Sequence, residues 1–124
     1  MDWRAAFGSK LVSPQEAVAV VSSGMMVGCS LTEPSDLCAA LAQREDVRDV
    51  TVVSAVLLPG GGSLAASGRF RVITGFATPV SYPLLRQGLV EYIPLQFSQA
   101  HRLFQVEYQP DVVMVRLKIG RAHV

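Results

Sequence analysis

Five apolar runs, rich in β-branched residues, alternate along this chain with stretches that carry helix-start signals. They are "MMVGC" (25–29), "DVTVVSAVLL" (49–58), "RFRVITGF" (69–76), "VEYIPLQF" (90–97) and "PDVVMVRL" (110–117). A strand with one solvated face alternates apolar and polar residues. These runs are nearly continuous, so each strand is expected to be covered on both faces. Strands interleaved with helices and buried on both sides imply right-handed crossovers. The expected fold class is therefore α/β: a three-layer open, mainly parallel sheet with helices on both faces.

The intervening stretches fit that plan. In "SPQEAVAVVSSG" Ser13 is placed as an N-cap, Pro14 at the first helical position, Glu16 completing a capping box and Gly24 as the stop. In "PSDLCAALAQRED" Pro34 opens a helix, Asp36 sits in its first turn, and Leu37, Ala40 and Leu41 form its inner face. "TPVSYPLLRQG" offers Thr78 as a cap and Gly88 as a stop, with Pro83 in or near the first turn. "SQAHRLFQV" reads as a helix capped by Ser98, and "MDWRAAFGSKLVS" as a short helix and linker. "PGGGSLAASG" reads as a glycine-rich loop.

The 124 residues suit one domain, half of them are hydrophobic, and 17% are charged. So apolar a chain is expected to present surface that something else covers. A net charge of +1 gives no electrostatic case for nucleic acid or an anionic membrane. No run approaches the ~20 apolar residues of a membrane helix. Asp2 and Arg4 interrupt what a signal peptide needs, so a cytoplasmic protein is expected. Cys29 and Cys38 are accordingly read as reduced thiols.

Ligands of open α/β sheets bind beyond the carboxyl ends of the strands. Those ends carry "GCSLTEP" (28–34), "PGGGS" (59–63), "GFATP" (75–79) and "PLQFS" (94–98), which are expected to line one cleft. Its candidate lining residues are Gly28, Cys29, Glu33, Gly60, Gly61, Gln96 and Ser98. Glu33 could hold a substrate group or act as acid or base, but a cap formed with Thr32 is the favoured reading. "PGGGS" could cradle a phosphate through backbone N–H groups, although it lacks the lysine of a P-loop. Cys29 lacks a partnering histidine, His101 is placed on a helix surface, and His123 falls in the tail. No metal-ligand spacing stands out, and no nucleophile–base pair.

Taken in order, "KLVSPQEAVAVVSSGMMVGCSLTEPSDLCAAL", "DVTVVSAVLL", "FRVITGFATPVSYPLLRQGLVEYIPLQFSQAHRLF" and "PDVVMVRL" resemble the N-terminal domain of the acetyl-CoA hydrolase/transferase family. That family includes acetate and 4-hydroxybutyrate CoA-transferases, and the resemblance spans residues 9–117. It implies an enzyme of two related α/β halves that moves CoA between an acyl-CoA and a small carboxylate, or hydrolyses the thioester. The reaction would pass through a glutamyl-CoA thioester. The nucleophilic glutamate would belong to a C-terminal domain absent here, so no catalytic residue is expected in this chain and Glu33 is not the nucleophile. Coenzyme A would be substrate, with no covalently bound cofactor and no metal. The expected partners are the chain's own C-terminal domain and, at full length, further copies of itself. Two departures bear on which acyl group fits: Thr32 precedes Glu33 where the family often has glycine, and "IPLQFSQAHRLF" carries Gln96 and Ala100-His101. A sugar-phosphate isomerase or ligand-sensing domain is the alternative, with "PGGGS" as its phosphate site; a non-catalytic interaction module is a third reading.

The stretch "IGRAHV" (119–124) equals the translation of a common sequencing adapter, ATC-GGA-AGA-GCA-CAC-GTC. It is read as an artefact, leaving 1–118 as an incomplete N-terminal domain.

Overall fold

A computed structural model of the chain describes residues 2–31 and 33–117. The cap assigned to Thr32, His123 and the adapter-like tail lie outside the described residues. Five strands form one parallel sheet: β1 (Met26–Cys29), β2 (Thr51–Val56), β3 (Arg71–Phe76), β4 (Val90–Tyr92) and β5 (Val112–Met114). Their spatial order is β4-β3-β2-β1-β5. The helices are α1 (Trp3–Phe7), α2 (Pro14–Val18), α3 (Ser35–Ala42), α4 (Pro59–Ala66), α5 (Ser81–Arg86) and α6 (Ala100–Arg102).

The order explains the layers. From β1 to β4 the chain steps one way across the sheet, so right-handed crossovers put α3, α4 and α5 on the same face. The step from β4 back to β5 runs the other way, so its connection crosses the opposite face. On the first face the register aligns one row of valines across every strand: Val112, Val27, Val52, Val72 and Val90. These pack with Val18, Val21, Leu41, Leu57 and Leu64 from the helical layer and its flanks. On the opposite face Val53 and Ile73 lie under Met26, Ile93, Leu95, Phe104 and Tyr108. Four helices back the first face; a single connection, with a 3-10 turn (Phe97–Gln99), α6 and a π-helical turn (Leu103–Glu107), crosses the second. The expected fold class therefore holds, with unequal layers.

Three helices depart from the sequence reading. "PGGGSLAA" is not a loop but α4, begun by Pro59 at its first position. The α2 cap is as expected, Ser13 Oγ accepting from Glu16 N at 3.2 Å, yet α2 stops at Val18 instead of reaching Gly24. The Arg44 guanidinium donates to the carbonyls of Val18 and Val21 and so takes over the end of the helix. Arg44→Met removes these bonds while keeping much of the apolar stem, and is expected to cost about 2 kcal/mol, read by urea denaturation. The expected "SQAHRLFQV" helix is instead the irregular connection, in which Ser98 lies inside the 3-10 turn and makes no side-chain cap. Thr78 does cap α5: its Oγ1 accepts from Ser81 N at 3.1 Å, and Pro83 sits in the first turn.

Candidate functional site

The carboxyl end of the sheet is built from loops fastened one to the next. Thr78 Oγ1, after β3, donates to the Leu57 carbonyl after β2 at 3.2 Å. Phe76, at the end of β3, meets Phe97, beyond β4, with ring centroids 6.0 Å apart. Glu33, after β1, reaches the segment after β2: its Oε2 accepts from Leu58 N at 3.0 Å. Just inside this edge, Ser54 Oγ donates to the Val56 carbonyl and Thr74 Oγ1 to the Ala55 carbonyl, so both buried hydroxyls are satisfied.

Glu33 is 2% exposed and does not cap α3, the helix it precedes. It lies at the N-terminus of α4 instead. A Cβ on Gly60 would come within 2.5 Å of Glu33 Oε1, and one on Gly61 within 2.8 Å of Oε2. The glycines proposed from sequence as a phosphate cradle thus pack against a carboxylate of the chain itself. Spacing along the chain gave no sign of this, because the partners are 25 residues apart.

Cys29 ends β1 and Cys38 lies on the inner face of α3; both are free and buried. A hydrogen bond to Cys29 pushes the Cys38 thiol up, and burial and the negative charge of Glu33 push it the same way. It is a poor nucleophile in this setting. The unfolded thiol ionises near pH 9.0 while the folded one stays neutral. Stability from Cys38 is therefore intact below that pH and lost above it. The stability gap between wild type and Cys38→Ala should be flat below pH 8 and narrow above pH 9 by about 1.4 kcal/mol per pH unit, measured by denaturant titration.

The candidate residues fall into three places. Glu33, Gly60 and Gly61 come together. Gly28 and Cys29 border an apolar groove of about 350 Å³ on the second face, closed by Ser30, Phe104, Pro110 and Val113. It lies on the second face over β1 and β5, the two strands between which the strand order reverses. Gln96 and Ser98 are exposed just after β4, and β4 is three strand spacings from β1, about 14 Å. The single four-loop cleft is therefore resolved into a fastened edge and a separate groove. Sequence reasoning missed Phe104 and Pro110 as groove walls. Their approach to Gly28 is set by the return crossover, and its direction follows from strand order.

Among the described residues no three of His, Cys, Asp and Glu gather in a way that could hold a metal ion. No helix among them is long and apolar enough to cross a membrane.

No family model matches the chain, and no curated protein matches it. Solved structures do. RipA from Yersinia pestis is 31% identical over 91% of this chain, with a TM-score of 0.78. A point variant of RipA gives 32% identity over the same share and a TM-score of 0.77. The decarboxylase AibA/AibB matches 76% of the chain at 19% identity and a TM-score of 0.59, a likeness of fold. The chain spans 30% of the length of RipA and 41% of the AibA/AibB chain.

Proposed function

We propose that this chain is the N-terminal part of a CoA-transferase or acyl-CoA hydrolase. The carrying observation is a cleft side with walls but without chemistry of its own. Glu33, the only buried carboxylate among the described residues, is engaged by the Leu58 N–H, and both buried cysteines are poorly placed as nucleophiles. A half-enzyme that shapes an acyl pocket and leaves bond-making to another part of the protein fits that arrangement. The ordered segments over 9–117 that resemble the acetyl-CoA hydrolase/transferase family supply the reaction: CoA transfer between an acyl-CoA and a small carboxylate through a glutamyl-CoA thioester. The apolar groove beside Gly28 suits a small acyl group. On this reading the nucleophilic glutamate lies outside these 124 residues. The rest of the protein covers the thin second face, where Phe97, Val106 and Val113 are each about 60% exposed. Further copies of the whole chain would assemble with it, in the cytoplasm.

The phosphate-site alternative loses its main support, because a resident carboxylate repels an incoming anion at Gly60 and Gly61. The test uses the full-length protein with acetyl-CoA and a second carboxylate, trapped by borohydride or hydroxylamine. A modified glutamate outside residues 1–117 is the expected product, and its absence during turnover would sink the proposal. The 124-residue chain alone should show no turnover and should self-associate in sedimentation.

A further inference from the structure

We propose that Glu33 is the resident anion of the α4 N-terminus, and through that role the positioning residue of the loop between β1 and α3. A helix N-terminus presents unsatisfied N–H groups and a partial positive charge, usually met by a Ser, Thr, Asp or Asn at the N-cap. The α4 N-cap is Leu58, which has no side-chain acceptor, and Pro59 follows it. Glu33 serves this end from outside the helix: its Oε2 takes the N–H of the cap residue Leu58 itself, as the reaching carboxylate of a capping box does. Its other oxygen, Oε1, is buried with no hydrogen-bond partner. A buried carboxylate with an idle oxygen is costly. The positive end of α4 offsets that cost, and the missing side chains of Gly60 and Gly61 let the carboxylate lie against the first helical turn. Glu33 directly precedes Pro34 and α3. Fixing its carboxylate therefore fixes the far end of the loop that begins at Ser30, a wall of the groove beside Gly28.

This predicts that a small free carboxylate can replace the side chain. In the 124-residue chain, Glu33→Ala should lower the melting temperature by about 10 °C. It should also speed amide exchange at Leu58 at least tenfold and quicken thiol labelling of Cys29 and Cys38 under native conditions. Formate should restore much of each loss when compared with chloride at equal ionic strength. Glu33→Gln, which keeps an acceptor for Leu58 but not the charge, should fall between wild type and alanine. Gly60→Ala should be strongly destabilising in the wild-type background and clearly less so beside Glu33→Ala, where the 2.5 Å approach to Oε1 is gone and only the 3.2 Å contacts with Cys38 Cβ and Ser35 Cα remain. Equal behaviour in formate and chloride, unchanged Leu58 exchange in Glu33→Ala, or additive effects of Gly60→Ala and Glu33→Ala would each overturn the proposal. If Glu33→Ala does not fold, the Gly60→Ala comparison is made against Glu33→Gln, where strong destabilisation should persist; a neutral Gly60→Ala there would overturn it.

Discussion

Leu41→Ala is expected to remove about 4 kcal/mol of stability, enough to bring a small domain close to unfolding. Leu41 is fully buried in the layer between the valine row and the helices, on the face of α3 that packs between α2 and α4. Truncation removes three carbons from water-free contact and leaves a void that neighbours can fill only by moving two helices at once. The size of the loss reports how rigid the layer is. A loss near 4 kcal/mol means that α2 and α4 hold their places; one near 2 kcal/mol means that short α2 swings in. Urea denaturation with a constant slope measures it, and a changed slope would show that the native state itself had loosened.

Gly28→Val sets two principles against each other. Gly28 is in β1, paired on one side with Val53 of β2 and on the other with Val113 of β5. Strand propensity alone favours valine here, since glycine weakens a strand and valine suits a pleated sheet. Packing opposes it. A Cβ at Gly28 would meet Pro110 Cγ at 3.2 Å and Phe104 Cε1 at 3.3 Å, and valine adds two more methyl groups beyond that point. The return crossover would have to lift from the sheet. We expect packing to prevail, with a loss of about 3 kcal/mol for valine and about 1 kcal/mol for alanine. Amide exchange in Val112–Met114 should accelerate more than in β2 or β3. A stabilised valine variant would show that propensity governs this position and that Phe104 and Pro110 do not press on the sheet.

The same contrast explains what could be read from the residues in order. β1, β2 and β3 were legible because a strand buried on both faces leaves a mark in its own composition, as in "VTVVSAV"; β4 and β5 are also strands, but the expected cover on both faces fails there, with Tyr92 and Val113 exposed at the two edges of the sheet. The caps of α2 and α5 were legible because Ser13 and Thr78 act on amides three residues away. The features that were missed all depend on distant partners. Three glycines read as a loop, yet they begin a helix whose first turn lies against Glu33. Val20 belongs to an apolar stripe at helical spacing, yet α2 has ended before it, and it is exposed. Ser98 has the residue type of a cap, but the chain after β4 is turning back across the sheet and winds into 3-10 and π turns. In the candidate site, Glu33 is expected from sequence to cap α3, the helix it precedes, yet it meets the N-terminus of α4, which could not be read from its neighbours.

The place of β5 also sets an order of events during synthesis. β1, β2 and β3 each pair with the strand next in sequence, so β1 to β4 can assemble as they emerge from the ribosome. β5 instead pairs with β1, and Asp111 anchors it by accepting the Met26 N–H, across 85 residues. Until that late arrival, the first strand made exposes a row of unpaired amides and carbonyls, the kind of template on which nascent chains aggregate. Slowing translation just before residue 111 should therefore lower the soluble yield.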